Sequence, residues 1–322
     1  MSFRVERFGA HLWHCKGQLR GSWCARKQAT IRSFRGPSTI MASAPPPSSS
    51  QREAGTEKYT SGYNPNAIKV QLKKTPETQA AFLVPYLKPG QVVLDCGCGA
   101  GGLSLGFAKL VSPGGRLDGV DMEEAMVQMA AKNAEEAGFG EVARFQKANV
   151  YSLPFEDNTY DVITGWGLLL YLSDPQKALQ ELLRVLKPGG IAAFISGDFG
   201  GWLYSPETPG MVAAFNYYKK LMAKDGGDPH NGRKIKRLMT EAGLELLHVG
   251  YRYDPNVMPG AMAADQFSKR IKDSVEKDGA IEKGWTTKEE VDSMLSGLEK
   301  FKSDPDPIFV ASICEVLARK SN

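Results

Sequence analysis

The sequence has no hydrophobic run long enough to cross a membrane. A helix that spans a bilayer needs about 20 apolar residues. The most apolar stretch, Ile163 to Leu172, contains Gly, Trp and Tyr and is about half that length. A membrane-spanning helix is therefore excluded, and we expect no membrane partner. Hydrophobic residues make up 42% and charged residues 24% of the 322-residue chain, which is typical of a globular protein with a buried core.

Cysteine and histidine are scarce. Five cysteines in a chain of this length do not make a disulfide scaffold, and their odd number fits a reducing compartment. The four histidines have no metal-ligand spacing with cysteines, except where His11, His14, Cys15 and Cys24 lie close together. Because that segment has no hydrophobic periodicity, we predict no metal site.

A large net charge is also missing. The formal charge is +4, but residues 1–50 hold eight Lys or Arg against the single acid Glu6, so the remaining residues carry a net charge of −3. A slightly acidic body has no general attraction to phosphate backbones. Nucleic acid is therefore not expected as the main partner.

The first 56 residues are predicted to be a disordered extension. Residues 1–40 are rich in Arg, Ser and Gly and are typical of an organelle transit peptide, whereas Met41 begins a Pro- and Ser-rich stretch that cannot form a core. Two interpretations stay open: a cleaved presequence, or an upstream extension with the working start at Met41. We favour the second, because the apolar face of a helical presequence is poorly formed. The expected location is cytoplasmic, with a mitochondrial location as the alternative.

From Thr75 onward the patterns of strands and helices alternate. Thr75 and Pro76 are typical of a helix start and predict a helix through Leu87. The next elements are strands at 91–95, 116–121, 142–146, 160–165 and 191–196, and helices at 100–111, 123–137 and 174–186. This alternation predicts a doubly wound α/β domain, residues 57–322, with a mostly parallel sheet and helices on both faces.

The pattern changes after Ser196. We predict helices at 207–224 and 233–242, two more between 258 and 302, and strands at 244–251 and 308–318. Residues 199–232 and 256–306 are expected to form a cap over the substrate.

A glycine-rich loop follows the first predicted strand. Gly97, Gly99 and Gly102 match the dinucleotide pattern GxGxxG, while Asp95 with Gly97, Gly99 and Gly101 matches DxGxGxG. A dinucleotide would place its pyrophosphate at this turn, where the Asp95 carboxylate would repel it. The ammonium and sulfonium of S-adenosylmethionine would instead be attracted. Asp95 therefore favours the methyl donor over NAD.

An acid at the end of the second strand supports a nucleoside site. Asp121 lies 26 residues after Asp95 and could accept hydrogen bonds from both ribose hydroxyls. This role fits either ligand, and a helix N-cap ahead of Glu123 is the structural alternative.

Four ordered segments together resemble class I S-adenosylmethionine-dependent methyltransferases. They are LDCGCGAGGLSL, GVDM, ANVYSLPFEDNTYDVI and LLRVLKPGG, which begin at Leu94, Gly119, Ala148 and Leu182. The chain is most similar to the small-molecule group that includes the quinone-biosynthesis C-methylating enzymes. The resemblance is close over residues 59–197 and looser beyond them. It implies a Rossmann-like sheet of seven strands, the last antiparallel, and a helical cap at the C-terminal end.

The resemblance also implies a set of donor contacts. Asp95, Gly97, Cys98, Gly99 and Gly101 would surround the methionine part of the donor. Asp121 would bind the ribose, and Met122 would lie against the adenine. Asn149 replaces an aspartate of many relatives, but its carbonyl can still accept the adenine amino hydrogen. Val150 would offer a backbone N–H, and Gly165 would leave room beside the methyl group.

Aromatic residues in loops after the fourth and fifth strands predict an acceptor site. Ligands of α/β sheets bind at the carboxyl ends of the strands, and aromatic loops there favour a flat or apolar molecule. The candidates are Trp166, Phe199, Trp202 and Tyr204, although some of them could simply pack the cap onto the sheet. No general base is evident: His230 is a weak catalytic candidate, and His248 in a strand is more typical of packing.

Small-molecule methyl transfer is the function that these observations favour. The sequence lacks the (D/N)PP(Y/F) tetrapeptide, the catalytic Pro-Cys pair and the acidic magnesium site of other methyltransferase classes. The alternatives are a methyltransferase acting on protein or RNA, an NAD-dependent oxidoreductase, and a donor-binding pseudoenzyme. A monomer and a homodimer are both compatible with the sequence.

Overall fold

The computed structural model describes residues 53–63, 65–256 and 259–322. The predictions for residues 1–52, including the start at Met41 and the group of His11, His14, Cys15 and Cys24, lie outside the described residues. The last four residues of the predicted extension form a turn in which the Thr56 N–H donates to the Glu53 carbonyl at 3.1 Å. None of the described helices combines the length and apolarity that a membrane crossing requires.

Within this described part, eight strands form one sheet. They are β1 (Val92–Cys96), β2 (Arg116–Asp121), β3 (Ala143–Lys147), β4 (Tyr160–Trp166), β5 (Leu186–Gly197), β6 (Leu203–Ser205), β7 (Glu245–Asp254) and β8 (Ile308–Arg319). Strands β1 to β5 are parallel in the order β3-β2-β1-β4-β5. Both β5 and β7 pair with β8 in the antiparallel sense. The mostly parallel α/β sheet with an antiparallel last strand is therefore confirmed.

The short strand β6 was not predicted. It pairs with Ile308–Val310, the part of β8 that β5 and β7 leave uncovered. The sheet therefore has eight strands rather than the expected seven.

Nine α-helices flank the sheet within the same described ranges. They are α1 (Pro65–Leu72), α2 (Pro76–Gln79), α3 (Gly102–Val111), α4 (Glu124–Glu136), α5 (Pro175–Val185), α6 (Pro209–Lys224), α7 (Ile235–Glu241), α8 (Gly260–Glu276) and α9 (Lys288–Lys302). Neighbouring strand residues such as Val93 and Leu94 belong to different apolar clusters, one on each face of the sheet. Burial of both faces explains why the strands are nearly continuous apolar runs.

The predicted helix from Thr75 to Leu87 is wrong in its length. Thr75 caps α2 as expected, but α2 ends at Gln79, and residues Val84–Tyr86 form a separate 3-10 turn. Pro85 has no N–H to donate, and its ring clashes with the carbonyl four residues earlier, so a continuous α-helix cannot pass through this segment. The sequence signal at the start was correct, and the proline inside the segment was overlooked.

The helices of the C-terminal half pack against one another as a layer. Helix α6 contacts α8 and α9, and α8 contacts α9. At the contact of α6 with α9, a Cβ added to Gly297 would lie 2.4 Å from the Met211 nitrogen, so the two backbones touch. The close approach depends on glycine at this position.

A buried arginine connects this layer to the N-terminal segment. The Arg270 guanidinium donates to the Asp225 carboxylate at 3.0 Å and to the Asp278 carboxylate at 3.0 Å. The Arg270 side chain is 12% exposed, and Asp278 also pairs with Lys58. A buried carboxylate left without its cationic partner is costly.

Arg270→Met is therefore expected to lower the free energy of unfolding by about 3 kcal/mol, because Asp225 would stay buried without a cation. Denaturant unfolding measures this loss. Lys269→Met is the matched control, since Lys269 is 54% exposed and its ion pair is on the surface. An unchanged unfolding midpoint for Arg270→Met would contradict the structural role of this cluster.

Candidate functional site

A cavity of about 270 Å³ opens at the carboxyl ends of the parallel strands. One half is bounded by the glycine loop after β1 and by the ends of β2 and β3. The other half lies between β4, β5 and the helical layer. Parallel α/β sheets bind ligands at this edge, where the strand order reverses beside β1.

The glycine loop has the left-handed backbone that its glycines permit. Gly97, Gly99 and Gly101 have φ values of 72°, 53° and 85°. The Gly99 N–H donates to Asp121 Oδ2 at 3.0 Å, which ties the loop to the end of β2. Side chains other than glycine rarely adopt these angles, so the motif fixes the local backbone.

Asp95 lies at the end of β1 and lines the cavity with a side chain that is almost fully buried. The Ser104 hydroxyl donates to Asp95 Oδ2 at 2.6 Å and is the one donor to this carboxylate among the described residues. Burial raises the pKa of Asp95 to about 6, although the Ser104 hydrogen bond opposes the shift. The carboxylate therefore gains from a cationic ligand that would offset its desolvation.

Asp121 lies at the end of β2, facing the same half of the cavity. Its Oδ1 accepts from the N–H of Glu123, the residue before α4, at 3.0 Å. The Asp121 carboxylate therefore contacts the start of α4 as well as the glycine loop. Burial raises the pKa of Asp121, and the two backbone hydrogen bonds oppose that effect.

Three further predicted donor residues line this half. Met122 is 49% exposed at its mouth. The Asn149 Oδ1 atom accepts from the Tyr151 N–H at 3.0 Å, and Val150 lies beside it. An amide oxygen has a second lone pair for a ligand hydrogen.

Gly101 and Gly165 were predicted as donor contacts, but the structure does not place them on the cavity surface. A Cβ at Gly101 would lie 3.1 Å from the Ala130 Cβ, so Gly101 faces α4. A Cβ at Gly165 would lie 3.1 Å from the Phe194 ring, beneath the cavity floor. Both glycines give room for packing.

The second half of the cavity is aromatic. Trp166, Phe199 and Trp202, which are candidates for the acceptor site, line it. The Phe199 and Trp202 ring centroids are 4.2 Å apart. Three aromatic residues on other elements complete the wall and were not predicted for it: Tyr218, Phe267 and Phe309. Together these rings form a surface suited to a flat apolar molecule.

Tyr204 and His230 were predicted near the ligand, and the structure places neither on the cavity. Tyr204 lies on β6, where its ring packs against Phe215 with the centroids 4.7 Å apart. His230 lies 3.4 Å from Asp198, which also binds Arg233. The loop that carries His230 is tied behind the end of β5, because the Phe199 N–H donates to the Pro229 carbonyl at 2.7 Å.

The segment Glu53–Tyr63, which we call the N-terminal strap, forms part of the cavity wall. The Glu57 carboxylate accepts from the Tyr151 hydroxyl at 2.6 Å and from the Ser173 N–H at 2.9 Å. The Ser61 hydroxyl lies 2.8 Å from that of Tyr171 and 2.9 Å from that of Tyr218. No local sequence signal indicates these long-range contacts.

Lys74, just beyond α1, also lines the cavity. Its Nζ lies 3.2 Å from the centroid of the Trp166 ring. Burial lowers the pKa of Lys74 to about 7, although the Asp254 carboxylate opposes the shift. No sequence motif points to this residue.

No group of three or more His, Cys, Asp or Glu side chains that could hold a metal ion occurs in the described part of the chain. Cys96, the last residue of β1, and Cys98, in the glycine loop, are buried free thiols.

The proteins and the family profile that this chain resembles are described as methyltransferases. The sequence profile of a family described as "Methyltransferase domain" matches residues 87–243. The chain is 28% identical over 287 residues to the "Probable methyltransferase ltbC" of Aspergillus luteorubrus. The alignment covers 82% of this chain and 98% of that protein.

Two bacterial relatives match a shorter region. The chain is 31% identical over 193 residues to the ubiquinone/menaquinone biosynthesis C-methyltransferase UbiE of Klebsiella pneumoniae, covering 52% of this chain and 76% of that protein. It is 34% identical over 161 residues to the demethylmenaquinone methyltransferase of Desulfitobacterium hafniense, covering 49% of this chain and 61% of that protein. The last alignment thus spans less than two thirds of the relative.

Solved structures share the fold. A protein from Bacillus halodurans C-125 superposes with a TM-score of 0.51 and 20% identity, covering 76% of this chain and 100% of that chain. The YcgJ protein from Bacillus subtilis gives a TM-score of 0.50 and 22% identity, covering 76% and 99%.

Proposed function

The chain belongs to the class I S-adenosylmethionine-dependent methyltransferases. On that premise, we propose that one half of its cavity binds the methyl donor and the other half binds the acceptor. The glycine-loop half would hold the donor, and the aromatic half would hold a small, flat, largely apolar organic molecule. S-adenosylmethionine supplies an electrophilic methyl group on a sulfonium sulfur.

Residues of the first half would hold the donor as follows. Asp95 would attract its cationic end, while Gly97, Cys98 and Gly99 would let the backbone approach the methionine part. Asp121 would accept hydrogen bonds from the ribose. Met122, Asn149 and Val150 would contact the adenine. Gly101 and Gly165 would act indirectly, by letting α4 and Phe194 pack close to the loop and the cavity floor.

Charge supports this donor over a dinucleotide. The carboxylates of Asp95 and Asp121 both lie on the donor half of the cavity. A pyrophosphate there would meet two acids, whereas a sulfonium and an ammonium would be attracted. The buried Asp95 carboxylate at the glycine loop is the single observation that carries the proposal.

The aromatic half supports a planar acceptor. Its rings come from β4, the loop after β5, α6, α8 and β8, and they leave few polar groups facing the ligand. Two of the relatives are named as methyltransferases of menaquinone or ubiquinone biosynthesis. A substituted aromatic ring is therefore the acceptor class that we propose.

Methyl transfer from a sulfonium is an in-line displacement that removes a positive charge, so alignment and exclusion of water are the main requirements. The N-terminal strap supplies part of this exclusion, since the hydrogen bonds of Glu57 and Ser61 hold it in the cavity wall. The aromatic walls orient the acceptor ring and keep the site dry.

Incubation of the protein with isotopically labelled S-adenosylmethionine and a cell extract tests the proposal. We expect a low-molecular-weight compound to gain about 14 Da, the mass of one methylene, plus the extra mass of the isotope, per transfer. Label confined to protein or RNA would contradict the small-molecule acceptor. Binding of NADH without binding of S-adenosylhomocysteine would contradict the donor.

A further inference from the structure

Lys74 lines the cavity beside Trp166, a residue of the aromatic half. It follows α1, and its half-buried side chain brings Nζ to 3.2 Å from the centroid of the Trp166 ring. Trp166 is the last residue of β4, next to the β1 strand end that carries Asp95. A ligand atom between donor and acceptor would therefore lie near this amine.

Burial of the Lys74 amine disfavours its charged form. Burial lowers the pKa of Lys74 to about 7. The one charge that opposes the shift is Asp254, whose carboxylate is already paired with Arg252. The other charged groups on the cavity wall are Glu57, Lys58, Asp95 and Asp121. Near neutral pH, the Lys74 ammonium would therefore lose its proton more readily than that of an ordinary lysine.

Other cavity groups are less suited to accept a proton. Burial raises the pKa of the hydroxyls of Tyr59 and Tyr171, so neither is a ready phenolate. Asp95 and Asp121 lie on the donor half, and His230 does not line the cavity. Methylation of a carbon or oxygen that carries a proton needs a base within reach.

We propose that Lys74 is the general base of the reaction, that it removes the acidic O–H proton of a hydroxylated ring, and that the methyl group goes to the resulting oxygen or to a ring carbon that the phenolate activates; such a carbon loses its own hydrogen to water after the transfer, as the hydroxyl is restored. The Lys74 Nζ lone pair takes that proton. The electron pair left on the acceptor forms the bond to the methyl carbon, while the carbon–sulfur bond breaks and its electron pair stays on sulfur. The inference rests on the proposed function.

The charge balance supports this assignment. The donor brings one positive charge on sulfur, and that charge disappears in the transfer. Lys74 gains one positive charge when it takes the proton, so the net charge of the cavity does not change. The Trp166 ring face stabilises the ammonium that forms, and the donor sulfonium would disfavour an ammonium before the reaction.

Variants at position 74 test the proposal with the extract assay. Lys74→Met and Lys74→Arg should each lower methyl transfer by on the order of 100-fold, because neither side chain accepts a proton at neutral pH. Their affinity for S-adenosylhomocysteine, measured by calorimetry, should stay close to that of the wild type. Lys73→Met is the matched control and should keep full activity, since Lys73 is exposed one residue earlier.

A direct titration provides a readout without turnover. After reductive methylation with ¹³C-formaldehyde, the NMR signal of Lys74, identified by its loss in Lys74→Arg, should titrate near pH 7, well below the other lysines. The rate of methyl transfer by the wild type should rise over the same pH range.

The outcomes separate the two hypotheses. An active wild type whose Lys74→Met variant is equally active, or a Lys74 that titrates near pH 10, would overturn the general base alone. Activity retained by Lys74→Arg but lost in Lys74→Met would overturn the general-base role. It would show instead that residue 74 supplies a fixed positive charge that binds an anionic acceptor. A wild type that binds the donor product but labels nothing in any extract would overturn the proposed function and the inference with it.

Discussion

Asp95→Asn is expected to weaken donor binding by on the order of 100-fold and, at the same time, to make the ligand-free protein more stable. Asparagine has the shape of aspartate and can still accept the hydrogen bond from Ser104, which is 2.6 Å in the structure. The substitution therefore removes the charge and leaves the packing intact.

The loss of binding follows from electrostatics. The buried carboxylate would face a cationic ligand in a cavity with few competing charges, and hydrogen bonds to charged groups contribute about 1.5 to 3 kcal/mol each. A neutral amide keeps little of this attraction. Donor affinity of the wild type should also fall as the pH drops below about 6, because protonation of Asp95 removes the same charge.

The gain in stability follows from linkage. Burial raises the pKa of Asp95 from 3.8 to about 6 in the folded protein. Between these values the folded state binds more protons than the unfolded state, so stability falls as the pH rises through that range and stays lower above it. At neutral pH the cost is at most about 3 kcal/mol, and Asp95→Asn removes it.

Calorimetry with S-adenosylhomocysteine and thermal unfolding at pH 5 and pH 7 measure both effects. Asp161→Asn is the control, because Asp161 lies at the start of β4 and pairs with Lys187, away from the glycine loop. Tight binding by Asp95→Asn, or a melting temperature that falls at pH 7, would contradict the role given to this carboxylate.

The glycine loop and the sheet could be predicted because their signals are local. Asp95 and Gly97 are neighbours in the chain, and the positive φ angles of the loop require glycine. The carboxyl ends of β1, β2 and β4 meet at one edge of any parallel sheet, so Asp121 and Trp166 could be assigned to that edge from sequence alone.

The rest of the cavity depends on contacts between distant parts of the chain. Lys74 and Tyr218 reach the cavity because α1 packs on α3 and α6 packs with α8 and α9, and no spacing in the sequence encodes that placement. Tyr204 was misassigned since the unpredicted strand β6 turns its ring towards Phe215 instead of the ligand. His230 was wrongly expected at the ligand: the hydrogen bond from the Phe199 N–H to the Pro229 carbonyl holds its loop at the end of β5, where His230 does not line the cavity.

The placement of Lys74 depends on two glycines one helical turn apart on α3. A Cβ at Gly102 would lie 2.3 Å from the Gln71 carbonyl oxygen, and a Cβ at Gly106 would lie 2.2 Å from Pro76 Cδ. The segment from Gln71 to Pro76, which includes Lys74, therefore rests directly on the backbone of α3. These two glycines let the segment that carries Lys74 pack directly against α3.

Gly106→Val should consequently lower methyl transfer by on the order of 100-fold, since displacement of a reacting group by about 1 Å can have that effect. The free energy of unfolding should fall by about 1 to 3 kcal/mol, because the added side chain overlaps the Pro76 ring. Gly140→Ala is the control: Gly140 is exposed, and its Cβ would meet the flexible Glu135 side chain at 3.3 Å.

A change in stability alone would not show that Gly106 positions Lys74. The distinguishing measurement is the titration of Lys74 in Gly106→Val, where the pKa should move from about 7 towards the ordinary value for lysine as the amine gains access to water. Cooperative unfolding and retained affinity for S-adenosylhomocysteine would show that the fold and the donor half persist. The pKa of Lys74 and the methyl transfer rate could instead both stay at wild-type values. In that case the packing of Pro76 against Gly106 would not position Lys74, and this contact would serve packing alone.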